Sequence, residues 1–220
     1  MKILTLIAPP GGGKGTQARK MEQAYGFKIL SVSDRLKEAK KYDSELARQF
    51  DEAKAAGTLI DDDVIIEKIR QWLDEPQYQD GVILDGFPRT LGQAEGFDAM
   101  LVEKGLELSA AIELHFKPED DELLKQRQRG RRLQDIAAGR EPRKDDGNEE
   151  TMNRRMSVYW NETAPIVPYY AKQGLALEVD GKLSPDDGFA QLRSKLAGIG
   201  INPLPADNAK TPDNSPRAGK

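Results

Sequence analysis

One stretch limits what this chain can fold into more than any other. Ile3-Leu4-Thr5-Leu6-Ile7-Ala8 has the apolar, β-branched character of a buried strand. It runs straight into Pro9-Pro10-Gly11-Gly12-Gly13-Lys14-Gly15-Thr16-Gln17, with a helical pattern from about Thr16 to Tyr25. Consecutive glycines let backbone N–H groups curl around an anion that side chains would keep at a distance. The start of a helix adds its positive dipole end at the same spot. From there Lys14 can reach outer phosphates, and the Thr16 hydroxyl offers a further polar group beside them. The strand–turn–helix setting separates this motif from a glycine linker. One position departs from the G-x-x-x-x-G-K pattern: Ala8 stands where its first glycine is expected, which the turn tolerates only with a negative φ there.

Beyond the turn, short apolar runs alternate with longer helical patterns. Strands are expected at Phe27–Ser31, Gly81–Leu84, Ala110–Phe116 and Leu175–Val179. Helical stretches are expected at Asp34–Ala56, Asp62–Leu73, Leu91–Lys104, Pro118–Arg129, Glu149–Gln173 and Pro185–Leu196. Apolar strands separated by helices give an α/β fold, a parallel five-stranded sheet covered on both faces. A single domain over 1–198 accounts for the pattern. The charged, glycine-punctuated segment Arg129–Gly147 is expected as an exposed loop. From 199 to 220 few apolar residues remain among Pro, Asn, Asp, Ala and Lys, so a disordered tail is expected.

Composition narrows the chemistry. The 220 residues include one His and no Cys. Disulfides, thiol nucleophiles and Cys-based zinc sites are excluded, and a Ser-His-Asp triad or multi-His metal site is disfavoured. With 33 Lys+Arg against 37 Asp+Glu the net charge is −4, which argues against sequence-independent duplex DNA binding. No run approaches the roughly 18–20 apolar residues of a membrane span, and Met1-Lys2-Ile3-Leu4 enters a strand without a signal-peptide pattern. A cytoplasmic protein without nucleic-acid or membrane partners is expected. Its chemistry rests on Lys, Arg, Asp, Glu, hydroxyls and backbone.

A second constellation, Leu84-Asp85-Gly86-Phe87-Pro88-Arg89-Thr90 with Gln93, falls at the end of the third strand. In an open α/β sheet that end faces the ligand crevice. Asp85 is then placed to orient Mg²⁺ through water, and Arg89 to take a phosphate bidentately. With both motifs in one chain, the sequence resembles the adenylate kinases, within the nucleoside monophosphate kinase family. The resemblance runs from about Lys2 to Leu196. It includes Gly57-Thr58-Leu59-Ile60, the pair Arg127 and Arg131, Arg143-Lys144-Asp145-Asp146, Glu149-Glu150-Thr151 with Arg155, Thr163-Ala164-Pro165, Tyr169-Tyr170 and Val179-Asp180-Gly181.

The resemblance implies a three-layer P-loop fold with a helical arm (about 31–60) over the monophosphate and a short lid (about 130–146) over ATP. The implied reaction is reversible transfer of the ATP γ-phosphoryl group to AMP, giving two ADP, with Mg²⁺ and as a monomer. Gly11, Gly12, Gly13, Lys14, Gly15 and Thr16 would cradle the ATP phosphates, with Arg131 in contact, Arg127 lining the same cleft and Leu183 at the base. Gly86, Phe87, Pro88, Arg89 and Gln93 would hold AMP, with Gln93 on the adenine edge and Thr58, Leu59 and Ile60 close by. Arg143 and Arg155 would bridge the phosphates at transfer. Lys14 and the arginines are the implied catalytic set, which agrees with a reaction that needs charge neutralisation more than covalent chemistry.

The chain departs from that family on the arm. Where the family writes Ser-Thr-Gly-Asp-x-x-Arg, this sequence has Ser31-Val32-Ser33-Asp34-Arg35-Leu36-Lys37. Val32 removes a hydroxyl beside the acceptor base, and Lys37 replaces a planar fork with a point charge. Adenine remains the expected acceptor base because Gln93 is kept. The open alternatives are a related kinase for UMP, CMP or GMP, and a sensor that binds nucleotide without transfer. The segment Leu133–Gly139 leaves no room for a β-rich lid and carries no zinc ligand set. His115, Trp72, Trp160 and the acidic runs at 61–63 and 119–122 are expected in structural roles.

Overall fold

A computed structural model of the chain describes residues 1–56, 60–142 and 147–205. Their strands are β1 (Lys2–Ile7), β2 (Lys28–Ser31), β3 (Gly81–Asp85), β4 (Ala110–His115) and β5 (Ala176–Asp180). They form one parallel sheet in the order β2-β3-β1-β4-β5. Helices α1 (Lys14–Tyr25), α2 (Val32–Ala39), α3 (Ser44–Ala56), α4 (Asp62–Leu73) and α5 (Leu91–Glu103) lie in the first half. The second half holds α6 (Asp121–Ala137), α7 (Glu149–Val158), α8 (Ile166–Lys172) and α9 (Pro185–Gly198).

Side chains alternate across a strand, so each strand feeds two cores. Ile3, Ile7, Leu30, Val82, Leu84 and Ala111 pack with residues of α2, α4, α5 and α8. Leu4, Leu6, Ile83, Ala110, Ile112 and Leu114 pack with α1, α6 and α9 on the other face. The result is the three-layer α/β arrangement that the apolar strands implied. Burial on both faces is why those strands read as continuous apolar runs.

Three boundaries differ from the sequence reading. The stretch 34–56 is two helices, because the Asp43 carboxylate accepts the Leu46 N–H at 2.9 Å and so caps α3. The expected loop from Arg129 is helical as far as Ala137. Gly130 costs an exposed helix only about 1 kcal/mol, and its Cβ position faces open space. Gly139, φ +66°, closes the end of α6: its N–H reaches Ile136 O at 3.0 Å and the Arg140 N–H reaches Asp135 O at 2.8 Å, a Schellman closure. The expected helix 149–173 is interrupted by a π turn over Tyr159–Thr163, with Ala164 N–H bonding Tyr159 O at 2.8 Å. Pro165, which has no N–H to donate, then starts α8.

The start of the expected tail is packed rather than disordered. Ile201 is 4% exposed within the second core, and Leu204 N–H bonds Ala24 O at 2.8 Å. An apolar residue that closes a core costs less in ordering entropy than it returns in burial. Residues 206–220 of that expectation lie outside the described residues.

Candidate active site

The glycine turn leaves the carboxyl end of β1, between β3 and β4. Gly11 and Gly13 have φ +85° and +90°, a region that disfavours L side chains. Space decides Gly11 as well, since a Cβ there would lie 2.5 Å from the Leu124 carbonyl oxygen of α6. Gly13 caps α1 and offers no side chain to its first N–H groups. By contrast Asp61, Thr90, Asn148 and Ser184 close α4, α5, α7 and α9 with side-chain oxygens. The first turn of α1 therefore presents backbone donors toward an anion. Lys14 Nζ donates to the carbonyls of Ala8 and Pro9. Ala8 is buried, and no described non-glycine residue has positive φ, so alanine at the strand end costs no backbone strain.

Asp85 ends β3, in register with Leu6 of β1 and Ser31 of β2. Gly86 follows at φ +85°, and Phe87 is buried with its carbonyl bound by the Thr5 hydroxyl. Arg89 is held at three points. Its Nε donates to Gly86 O at 2.8 Å, its N–H to Gln93 Oε1 at 2.8 Å, and its carbonyl accepts the Thr163 hydroxyl at 2.8 Å. Thr90 Oγ1 accepts the Gln93 N–H at 3.0 Å, which starts α5. The Arg89 side chain is open to water on one side, but protein surrounds it at longer range. That withdrawal from bulk solvent lowers its pKa below the ordinary guanidinium value; Asp85 opposes the shift and Arg155 adds to it. Arg89 remains cationic, and it feels the charges of both Asp85 and Arg155.

Arg127 and Arg131 stand one turn apart on α6. Arg127 is engaged with the β5–α9 connection. Its Nη1 donates to Gly181 O at 2.8 Å and its Nη2 to Lys182 O at 3.4 Å, with the guanidinium 5.4 Å from the centre of the Phe116 ring. Arg127 thus lies beside Leu183, which is 37% exposed. On the arm, Val32 is 3% exposed within the first core. Lys37 is an exposed residue whose Nζ pairs with Asp34 at 2.8 Å. Arg35 turns the other way, onto Glu75 and 5.2 Å from the Trp72 ring.

A family model described as Adenylate kinase matches residues 6–175. The chain belongs to the adenylate kinase family. Among curated relatives, an adenylate kinase of Parvibaculum lavamentivorans is 40% identical over 196 residues, covering 89% of this chain and 92% of the relative. One of Nitrobacter winogradskyi is 39% identical, covering 90% and 94%, and one of Chelativorans sp. is 40% identical, covering 88% and 98%. The activity of the adenylate kinase family is reversible phosphoryl transfer between ATP and AMP.

Within the adenylate kinase pattern, Thr58, Leu59 and Arg143 lie outside the described residues, and Ile60 packs on the first core. Three residues near the site have contacts that the sequence reading did not assign. Thr163 reaches Arg89 across a separation of 74 residues, which no local pattern signals. Gln17 and Gln128 are buried glutamines on helices whose other inward positions are apolar, and polarity at a core position was their signal. His115 is satisfied as expected: its Nδ1 lies 3.0 Å from Glu113 Oε1.

Proposed function

We propose that this adenylate kinase lays ATP phosphates on the N–H groups of Gly11 to Thr16 and AMP against Gly86 to Arg89, Gln93, Val32, Lys37 and the Thr58–Ile60 segment. The observation that carries the reading is the uncapped start of α1, with two left-handed glycines ahead of it and Lys14 folded over the turn. The terminal phosphoryl group passes from ATP to the AMP phosphate oxygen, giving two ADP with no net proton or water. Charge accumulates on the moving group, so the protein supplies cations rather than a nucleophile. Lys14, Arg89, Arg131, Arg143 and Arg155 fill that role, and Arg127 with Leu183 lines the ATP base.

Asp85 and the Thr16 hydroxyl are hard oxygen donors of the kind that hold Mg²⁺, Asp85 through water. When bound, Mg²⁺ neutralises phosphate charge. Gln93 Oε1 already accepts the Arg89 N–H, but an amide oxygen has two lone pairs, so it can take a base amino group while Nε2 donates to a ring nitrogen. No described helix is long and apolar enough to cross a membrane. We place the chain in the cytoplasm as a monomer acting on free nucleotides.

A coupled assay with ATP, Mg²⁺ and a panel of nucleoside monophosphates tests this reading. AMP should give the highest kcat/KM. A higher value for UMP, CMP or GMP would reassign the acceptor, and ADP formation without any acceptor would indicate plain hydrolysis.

A further inference from the structure

Gln128 sits in the middle of α6 with no exposed surface. Its Nε2 donates at 3.4 Å to the Pro10 carbonyl, just ahead of the glycines, and lies 3.4 Å from the Leu124 carbonyl one helical turn back. Its Oε1 is buried and accepts no hydrogen bond from the described residues. Buried amides normally have both atoms satisfied, and an unbranched apolar side chain would fill the space without stranding an acceptor. On stability alone, glutamine is a poor choice here.

The surroundings supply another reason for it. A Cβ at Gly11 would meet the Leu124 oxygen at 2.5 Å and the Gln128 Cγ at 3.2 Å, so α6 rests on the turn with nothing between them. Arg127 precedes Gln128 and Arg131 follows one turn after Arg127, so one rigid helix sets where both arginines stand relative to the turn. Gln17 repeats the device on the other side. It is 6% exposed, its Nε2 donates to Pro185 O at 3.1 Å, and its Oε1 is likewise buried without an acceptor bond. Gln17 joins α1 to the first turn of α9, and Gln128 joins the turn to α6.

We propose that Gln128 is a positioning residue for phosphoryl transfer. It fixes the offset between the glycine turn and the arginines of α6, so that an ATP laid on the turn meets Arg131 at its phosphates and Arg127 beside its base in register. It acts through Pro10 and touches no substrate. The proposal rests on the reading that the turn holds ATP.

The test compares the wild-type enzyme with Gln128→Met, which keeps length and removes the donor. The readouts are melting temperature, kcat, and separate KM values for ATP and AMP. The melting temperature should hold or rise, since the stranded acceptor is gone. KM for ATP should rise about fivefold, the weight of one hydrogen bond, while KM for AMP stays within about twofold. Unchanged KM values for both substrates would overturn the proposal, as would equal rises in both, which mark general damage. Should Gln128→Met fail to fold, Gln128→Asn, too short to reach Pro10, carries the same comparison. Lys14→Ala separates the two readings. Wild-type ATP affinity in that variant would sink the assignment of ATP to the turn. Lost ATP affinity there with an unaffected Gln128→Met would sink the role of Gln128 alone.

Discussion

Lys14 curls back over the turn that precedes it, and its ammonium donates to the main-chain carbonyl of Ala8 at the end of β1. The bond joins the two ends of the glycine turn, so the cation is held at the segment proposed to take the phosphates. Lys14→Ala should lower kcat by about 10²–10³-fold, the typical loss of one transition-state charge contact. A partly exposed lysine adds little to the core, so the melting temperature should move by only a few degrees. Full turnover in the coupled assay would refute the mechanism.

Among the described residues Lys37 pairs with Asp34, both side chains more than half exposed. Such pairs contribute about 0–1 kcal/mol, so an acceptor phosphate can recruit Lys37 at small cost. Arg35 cannot substitute, being committed to Glu75 and Trp72. Lys37→Arg restores a planar fork and should lower KM for AMP by about fivefold, with KM for ATP unchanged. An equal change in both constants would show that Lys37 is not on the acceptor side.

Glu113 is 8% exposed and faces Glu178 across the β4–β5 register. Burial pushes its pKa above 4.5, His115 partly offsets this, and Glu178 adds to it. The folded state therefore holds this proton more tightly than the unfolded chain. The contribution of Glu113 to stability is greatest at acid pH and declines as pH rises above about 4.5. Glu113→Gln should flatten the fall in unfolding free energy between that point and neutrality. Urea titrations across that range measure it, and identical slopes would contradict the assignment.

Ile201 closes the second core beyond the end of α9, at 4% exposure. Ile201→Ala should cost about 2–4 kcal/mol of unfolding free energy, as buried aliphatic truncations do. The nucleotide turn is formed elsewhere in the chain, so KM values should hold. A loss below about 0.5 kcal/mol would mean that this residue packs only loosely.

The sequence by itself determined the elements whose reasons are local. Apolar strands with glycine punctuation dictated a parallel sheet, and Gly11 to Thr16 dictated a turn with left-handed glycines ahead of a helix, the backbone that the proposed phosphate site requires. The aspartates that open α4 were legible too, whereas the charged, glycine-punctuated segment from Arg129 was read as a loop although an exposed helix absorbs one glycine cheaply. Tertiary structure decided what depends on partners far along the chain. Arg127 reaches Gly181 across 54 residues, Thr163 holds Arg89 across 74, and Gln128 meets Pro10 across 118. Only the packed fold could assign those partners, because a side-chain hydrogen bond depends on distance in space and leaves no period in the sequence. The packed fold also turned Arg35 away from the acceptor side and drew Ile201 into the core. Local rules set which groups exist, and packing set which of them meet.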